Sequence, residues 1–150
     1  MKNRQILIVD DMPMISDYME LILSHQGFQV TATVTSGEEA IIAALTTFPD
    51  LVLMDIRLAG LMDGIETADR IRRVSYVPIV FVSAYTELDV IQRAMATGAS
   101  GYIIKPFKGK DLLFAVKRAF GMQSSEDRTG EAFTINHPSC ISRTRNQVDR

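Results

Sequence analysis

A doubly wound α/β fold built on a five-stranded parallel sheet is predicted by three features of this chain. Short apolar runs alternate five times with segments of helical spacing, the connections between them are short, and four of the runs end in charged or polar side chains. Strand–helix alternation of this kind implies right-handed crossovers, and hence helices on both faces of the sheet.

Gln5 to Val9 is a β-branched and aliphatic run and forms the first strand. Met14 to Ser24 then carries Ile15, Met19, Ile22 and Leu23 on one helical stripe, which Gly27 stops. Phe28 to Val34 alternates weakly as the second strand. Ser36 has the character of an N-cap, with Glu39 three positions on to complete a capping box, and Ala40, Ile41, Ala44 and Leu45 make the next stripe before Pro49. Leu51 to Met54 is the continuous apolar run of a strand covered on both faces. Ile56 to Gly64 is a loop, and Ile65, Ala68 and Ile71 mark a third helix. Pro78 opens the fourth strand, Ile79 to Val82, and Leu88, Ile91, Ala94 and Met95 form a helix with Gly98 as its C-cap. Tyr102 to Ile104 is the fifth strand. The last helix, about Lys110 to Phe120, turns Leu112, Leu113, Val116 and Ala119 inward and places Lys117 and Arg118 near its carboxyl end, where cations complement the dipole.

From Gly121 the composition shifts to Ser124, Ser125, Glu126, Asp127, Arg128, Thr129 and Gly130, and the apolar spacing is lost. Residues 1–121 are therefore read as one domain and 122–150 as a poorly ordered tail or linker. Within the tail, Ala132 to Ile135 has the makings of a short strand or docking segment and is too small for an independent domain.

With 150 residues and 47% hydrophobic side chains, the chain has apolar surface enough for a full core. A net charge of −2 gives no bulk attraction to nucleic acid or anionic lipid, and Arg143 with Arg145 is too thin a basic cluster for nucleic-acid binding by this chain alone. The single cysteine, Cys140, has neither a disulfide partner nor the companions of a zinc site. Ile6 to Val9 is too short for a secretory or membrane segment, so a cytoplasmic protein with no membrane partner is expected. His25 and His137 fall outside the strand ends and receive no role, and the eight methionines are read as core filling.

The chemistry lies at the strand ends. Asp10 and Asp11 follow the first strand, Asp55 the third, Ser83 the fourth and Lys105 the fifth. In an open parallel sheet these ends share one edge, where ligand crevices form at the point of strand-order reversal. Three carboxylates in one crevice repel one another unless a cation compensates, and magnesium suits an oxygen-only donor set that leaves room for a phosphoryl oxygen. Asp55 is then placed as a nucleophile toward a phosphoryl donor, while Lys105 and Ser83 supply the charge and hydroxyl that the transferred group needs.

Over roughly residues 3 to 121 these motifs resemble the receiver domain of two-component response regulators. The Asp-Asp pair, the single Asp, the Ser-Ala and the Lys-Pro occur in order, with 28 positions from Asp55 to Ser83 and 22 from Ser83 to Lys105. The resemblance implies a flavodoxin-like (βα)5 sheet of strand order 2-1-3-4-5, and a histidine kinase or phosphotransfer protein as donor to Asp55. It also implies Mg2+ held by Asp10 or Asp11, Asp55 and the backbone carbonyl of Arg57, with Lys105 and Ser83 on the phosphoryl oxygens. Ser83 and Tyr102 would form the switch pair, and the peptide before Pro106 would be cis. Phosphorylation would alter partner binding, or homodimerisation, through a face of the fourth helix, fifth strand and fifth helix, including Ile91, Ala94, Met95, Ile103, Lys108 and Lys117. The loop after Asp55 departs from the family pattern, with no Met-Pro and one extra residue before Asp63-Gly64. Bulky Arg57 and Tyr85 flank the inferred attack path, which implies slow loss of the phosphoryl group.

Each residue also has an ordinary explanation. Asp11 before Met12-Pro13 suits a helix cap, Asp63 suits a turn, Lys105 suits a merely solvated side chain, Ser83 suits an N-terminal turn residue, and Tyr102 suits simple packing. Two other functions share the sheet. A haloacid-dehalogenase-like phosphohydrolase would carry a second Asp two residues after its nucleophile, where this chain has Arg57. A flavin or nucleotide module would need a Gly-rich cradle where Asp10-Asp11-Met12-Pro13 stands.

Overall fold

Every side chain from Ile6 to Val9 is buried, and successive residues enter opposite cores: Leu7 and Val9 join one cluster, Ile6 and Ile8 the other. That is the behaviour of a strand inside a parallel sheet with both faces covered. The computed structural model describes residues 3–122 and 132–136. In chain order its elements are β1 (Gln5–Val9), α1 (Pro13–His25), β2 (Gln29–Val34), α2 (Gly37–Thr47), β3 (Leu51–Met54) and α3 (Gly64–Arg72). They continue as β4 (Ile79–Ser83), α4 (Leu88–Met95), β5 (Gly101–Ile104), α5 (Gly109–Ala119) and β6 (Phe133–Ile135).

All pairings are parallel, in the order β2-β1-β3-β4-β5-β6. The expected order 2-1-3-4-5 is present, but the five-strand count is corrected: the tail supplies a sixth strand that pairs Gly101 with Phe133 and Ile103 with Ile135. The rest of the tail, including Cys140, His137, Arg143 and Arg145 and its expected lack of order, lies outside the described residues. One core packs α2, α3 and α4 through Ala40, Ala44, Ala68, Ile71, Ile91 and Ala94. The other packs α1 and α5 through Met19, Leu23, Leu112, Ala115 and Val116.

Helix starts follow local chemistry. Ser36 accepts from the Glu39 N–H at 3.2 Å, as an N-cap should. Asp63, read as a turn residue, caps α3 by accepting from the Glu66 N–H at 2.8 Å. Asp11 is not a cap: α1 begins after Met12, with Pro13 at its first position. Gly98, expected as the C-cap of α4, lies two residues beyond the cap Ala96, at φ 90°, where its carbonyl accepts from Arg72 Nη2 at 2.8 Å. No helix among the described residues is long and apolar enough to cross a membrane.

Candidate functional site

Three backbone hydrogen bonds carry the sheet one residue past its strands and thereby fix the chemistry-bearing side chains. The Asp10 N–H donates to Val34 O at 3.0 Å, the Asp55 N–H to Val9 O at 2.9 Å, and the Lys105 N–H to Ser83 O at 2.9 Å. β1 has β2 on one side and β3 on the other, so Asp10 and Asp55 stand at the reversal of strand order. Lys105, three strands away from Asp10, extends back over β4 and donates to Asp10 Oδ2 at 2.8 Å and to Asp55 Oδ2 at 2.9 Å. The Lys105–Pro106 peptide is cis.

The other oxygens of the two buried carboxylates are also engaged. Asp10 Oδ1 accepts from the Met12 N–H at 2.9 Å, and Asp55 Oδ1 from the Ile56 N–H at 2.7 Å and the Arg57 N–H at 3.4 Å. Asp11 is exposed, yet one carboxylate oxygen from each of Asp10, Asp11 and Asp55 lies within 4.8 Å of the others. Burial lifts the Asp55 carboxyl above its ordinary pKa, Lys105 opposes this, and the Asp10 charge adds to it. Burial also works against the Lys105 ammonium, but its hydrogen bonds and charge interactions with Asp10 and Asp55 outweigh it, and its pKa is raised. One ammonium thus faces three carboxylates. The donor set is hard oxygen, clustered and undercompensated in positive charge, and it fits a magnesium-sized divalent cation.

Ser83 and Tyr102 grip a single residue from two sides. Ser83 Oγ accepts from the Tyr85 N–H at 3.3 Å, and the Tyr102 hydroxyl donates to the Tyr85 carbonyl at 2.9 Å. Tyr102 is fully buried against Phe81 on the α4 side of the sheet, and burial raises the pKa of its hydroxyl. Arg57 is exposed and, with Leu61, Met62, Asp63 and Tyr85, lines an open cleft of about 230 Å3 beside Asp55.

The loop with the extra residue is held by two contacts. Ala59 forms a one-residue bridge with Ser36, its N–H donating to Thr35 O at 3.1 Å, and the Gly64 N–H donates to Ile56 O at 2.7 Å. A Cβ on Gly64 would overlap the Asp55 carbonyl oxygen, so only glycine lets α3 begin against the backbone of Asp55. The sequence reading missed this role, although Asp63-Gly64 followed by Glu66 repeats the capping spacing of Ser36 and Glu39.

The expected response face needs correction. Ile91, Ala94 and Ile103 are buried core residues, and Met95 and Lys117 are half-buried; of the six, only Lys108 is exposed. Helical spacing marked the inner stripe of α4, not its outer one. His25 lies exposed at the end of α1, away from the carboxylates.

A sequence profile described as the response regulator receiver domain matches residues 6–117. The chain is 36% identical over 133 residues to the DNA-binding response regulator MtrA of Mycolicibacterium smegmatis, covering 89% of this chain and 57% of that protein. It is 34% identical over 116 residues to the transcriptional regulatory protein PdtaR of Mycobacterium tuberculosis, covering 77% and 56%. The chain therefore spans little more than half the length of these curated relatives. Among solved structures, a CheY-like response regulator receiver domain protein from Methanospirillum hungatei superposes with a TM-score of 0.75 at 30% identity, over 83% of this chain and 99% of that one. The signal receiver domain of a modulated diguanylate cyclase from Desulfovibrio desulfuricans gives a TM-score of 0.74 at 30% identity, over 81% and 96%.

Proposed function

The chain belongs to the response regulator receiver domain family, and on that premise we propose that Asp55 is the phosphoryl acceptor of a two-component signalling switch. Receiver domains of this family act in signalling. The observation that carries the assignment to Asp55 is the Lys105 ammonium shared between the Asp10 and Asp55 carboxylates at 2.8 and 2.9 Å, with Asp11 alongside.

Asp55 stays in place through its backbone bond to Val9, and its Oδ2, on the Lys105 side, is the attacking oxygen. It forms an O–P bond as the P–N bond of a donor phosphohistidine breaks, and the imidazole nitrogen leaves with the electron pair. Lys105 turns its ammonium from the carboxylates to the phosphoryl oxygens, and the Ser83 hydroxyl donates to another of them. Asp10, Asp11 and Asp55, with the Arg57 carbonyl, would hold magnesium, which would neutralise charge gathered at the acceptor. As Ser83 turns toward the phosphoryl group it lets go of the Tyr85 N–H, and Tyr102 follows through the Tyr85 carbonyl. The change reaches the outer surface of α4, β5 and α5, where a differential affinity for a partner or a second copy biases the two states.

Residues 1–121 form the receiver unit and 122–150 a tail, the donor is a histidine kinase or phosphotransfer protein, and the setting is cytoplasmic. A haloacid-dehalogenase-like hydrolase is disfavoured because Arg57 stands where that chemistry needs an Asp. Incubation with magnesium and a small phosphodonor tests the reading by intact mass. A stoichiometric gain of one phosphoryl group, abolished by EDTA and by Asp55→Asn, is expected; continuous turnover of the donor without a lasting adduct would support the hydrolase instead.

A further inference from the structure

β5 would be an edge strand were it not for residues 133–135, and the contacts there are specific. The Phe133 N–H donates to Ser100 O at 3.3 Å, and the pairing runs in register from Gly101 to Ile103. Phe133 and Ile135 face the α5 side and pack against its core cluster, while Thr134 pairs with Tyr102. The Phe133 ring occupies the space over Gly101: a Cβ there would lie 2.5 Å from the ring atoms. Arg118 of α5 lies over that ring, its Cζ 4.9 Å from the ring centre. Asn136, at φ 70°, ends the strand and donates Nδ2 to Ile104 O at 3.3 Å, and at 3.5 Å to Asp111 Oδ2, which also accepts from the Lys108 N–H. The site thus offers an open ladder, a glycine recess for one aromatic ring, a cation for its face, and two acceptors for a terminal amide. That combination selects a segment with an aromatic, an intervening residue, an aliphatic and an Asn.

We propose that the outer edge of β5 is a strand-docking surface for such a segment, that Phe133 to Asn136 of the same chain occupies it, and that a partner pairs with the edge of β5 only by displacing them. An added strand takes its affinity from main-chain hydrogen bonds and its selectivity from pockets for particular side chains, and both are built here. Covering the edge also removes a template for unwanted pairing. The nine residues 123–131 tether the segment, so it competes at the effective concentration of a short linker, of millimolar order. The docking stands on geometry alone; its consequence for signalling rests on the proposed function.

The test uses the full chain and a fluorescent peptide of residues 131–137, followed by anisotropy. Wild type, with its edge filled, binds the peptide weakly, and Phe133→Ala, which weakens the resident strand, binds it at least about tenfold more tightly. Adding Gly101→Ala to Phe133→Ala abolishes that gain, as does a peptide carrying Ala in place of its Phe. Hydrogen exchange across residues 101–104 speeds up in Phe133→Ala and slows again when the peptide is added. Equal binding by wild type and Phe133→Ala, or exchange in β5 that ignores both substitution and peptide, overturns the proposal. Repeating the titration in Asp55→Asn keeps the two readings apart, since docking persists there whether or not Asp55 accepts a phosphoryl group.

Discussion

Replacing Lys105 by Met removes the ammonium shared by two carboxylates while leaving the side chain's bulk. The side chains of Asp10 and Asp55 are 0% and 7% exposed and that of Lys105 is 11% exposed, so the interaction is only lightly screened by solvent. Deleting one partner of a buried ion pair costs roughly 3–5 kcal/mol because the remaining charge is left uncompensated. Burial already lifts the Asp55 carboxyl above 3.8, and Lys105 opposes that lift, so its loss raises Asp55 further. A carboxyl lifted in the folded state contributes stability that is fully present below its unfolded pKa and lost as pH rises through the folded one. The variant should therefore be close to wild type near pH 4 and lose about 3–5 kcal/mol by about pH 8. Lys105 is lifted above 10.5, so its own contribution in wild type is intact over that window and fades only above it. Urea unfolding at both pH values, in EDTA and in magnesium, measures this, with magnesium restoring part of the loss at the higher pH. A penalty below about 1 kcal/mol at pH 8, or one indifferent to pH and magnesium, would refute the claim that Lys105 offsets buried negative charge.

Gly64→Ala forces a methyl group onto the Asp55 carbonyl oxygen and should destabilise by about 3 kcal/mol, with phosphodonor labelling reduced; denaturant midpoint and intact mass report the two effects. Tyr102→Phe removes the hydroxyl that donates to Tyr85 O and leaves that carbonyl to solvent or to no partner, for a loss of about 1 kcal/mol by thermal unfolding. Its phosphodonor labelling at Asp55 should persist, because the ring lies outside the carboxylate cluster. Arg57→Ala combined with Tyr85→Ala opens the cleft that both residues line, and the phosphorylated form should decay faster than wild type. An unchanged lifetime rejects their role in restricting water.

Much of this architecture is legible in the sequence because its signals are local. Continuous apolar runs such as Leu51 to Met54 declare strands covered on both faces, and polar residues directly after them must gather at one sheet edge. The convergence of Asp10, Asp55 and Lys105 follows from that alone. The details that escaped depend on contacts between distant segments. Nothing local says that Gly64 meets the Asp55 backbone, or that Gly101 leaves room for Phe133. Residues 132–135 carried a weak strand signal, but three paired residues gain their stability from β5 and α5 rather than from their own propensity. The outer face of α4 was misread because apolar spacing identifies what is buried, as Ile91 and Ala94 are, and leaves the exposed contact surface unmarked.

The central claim is that a phosphoryl group is carried by the side chain of Asp55, and borohydride trapping tests it most directly. Reduction of the phosphodonor-treated protein converts an acyl phosphate on aspartate to homoserine, and peptide mass spectrometry locates the change. Homoserine at position 55, formed only when magnesium and phosphodonor are both present, is the predicted result. Reduction at Asp10 or Asp11 with Asp55 intact, or no reduced residue at all, would contradict it.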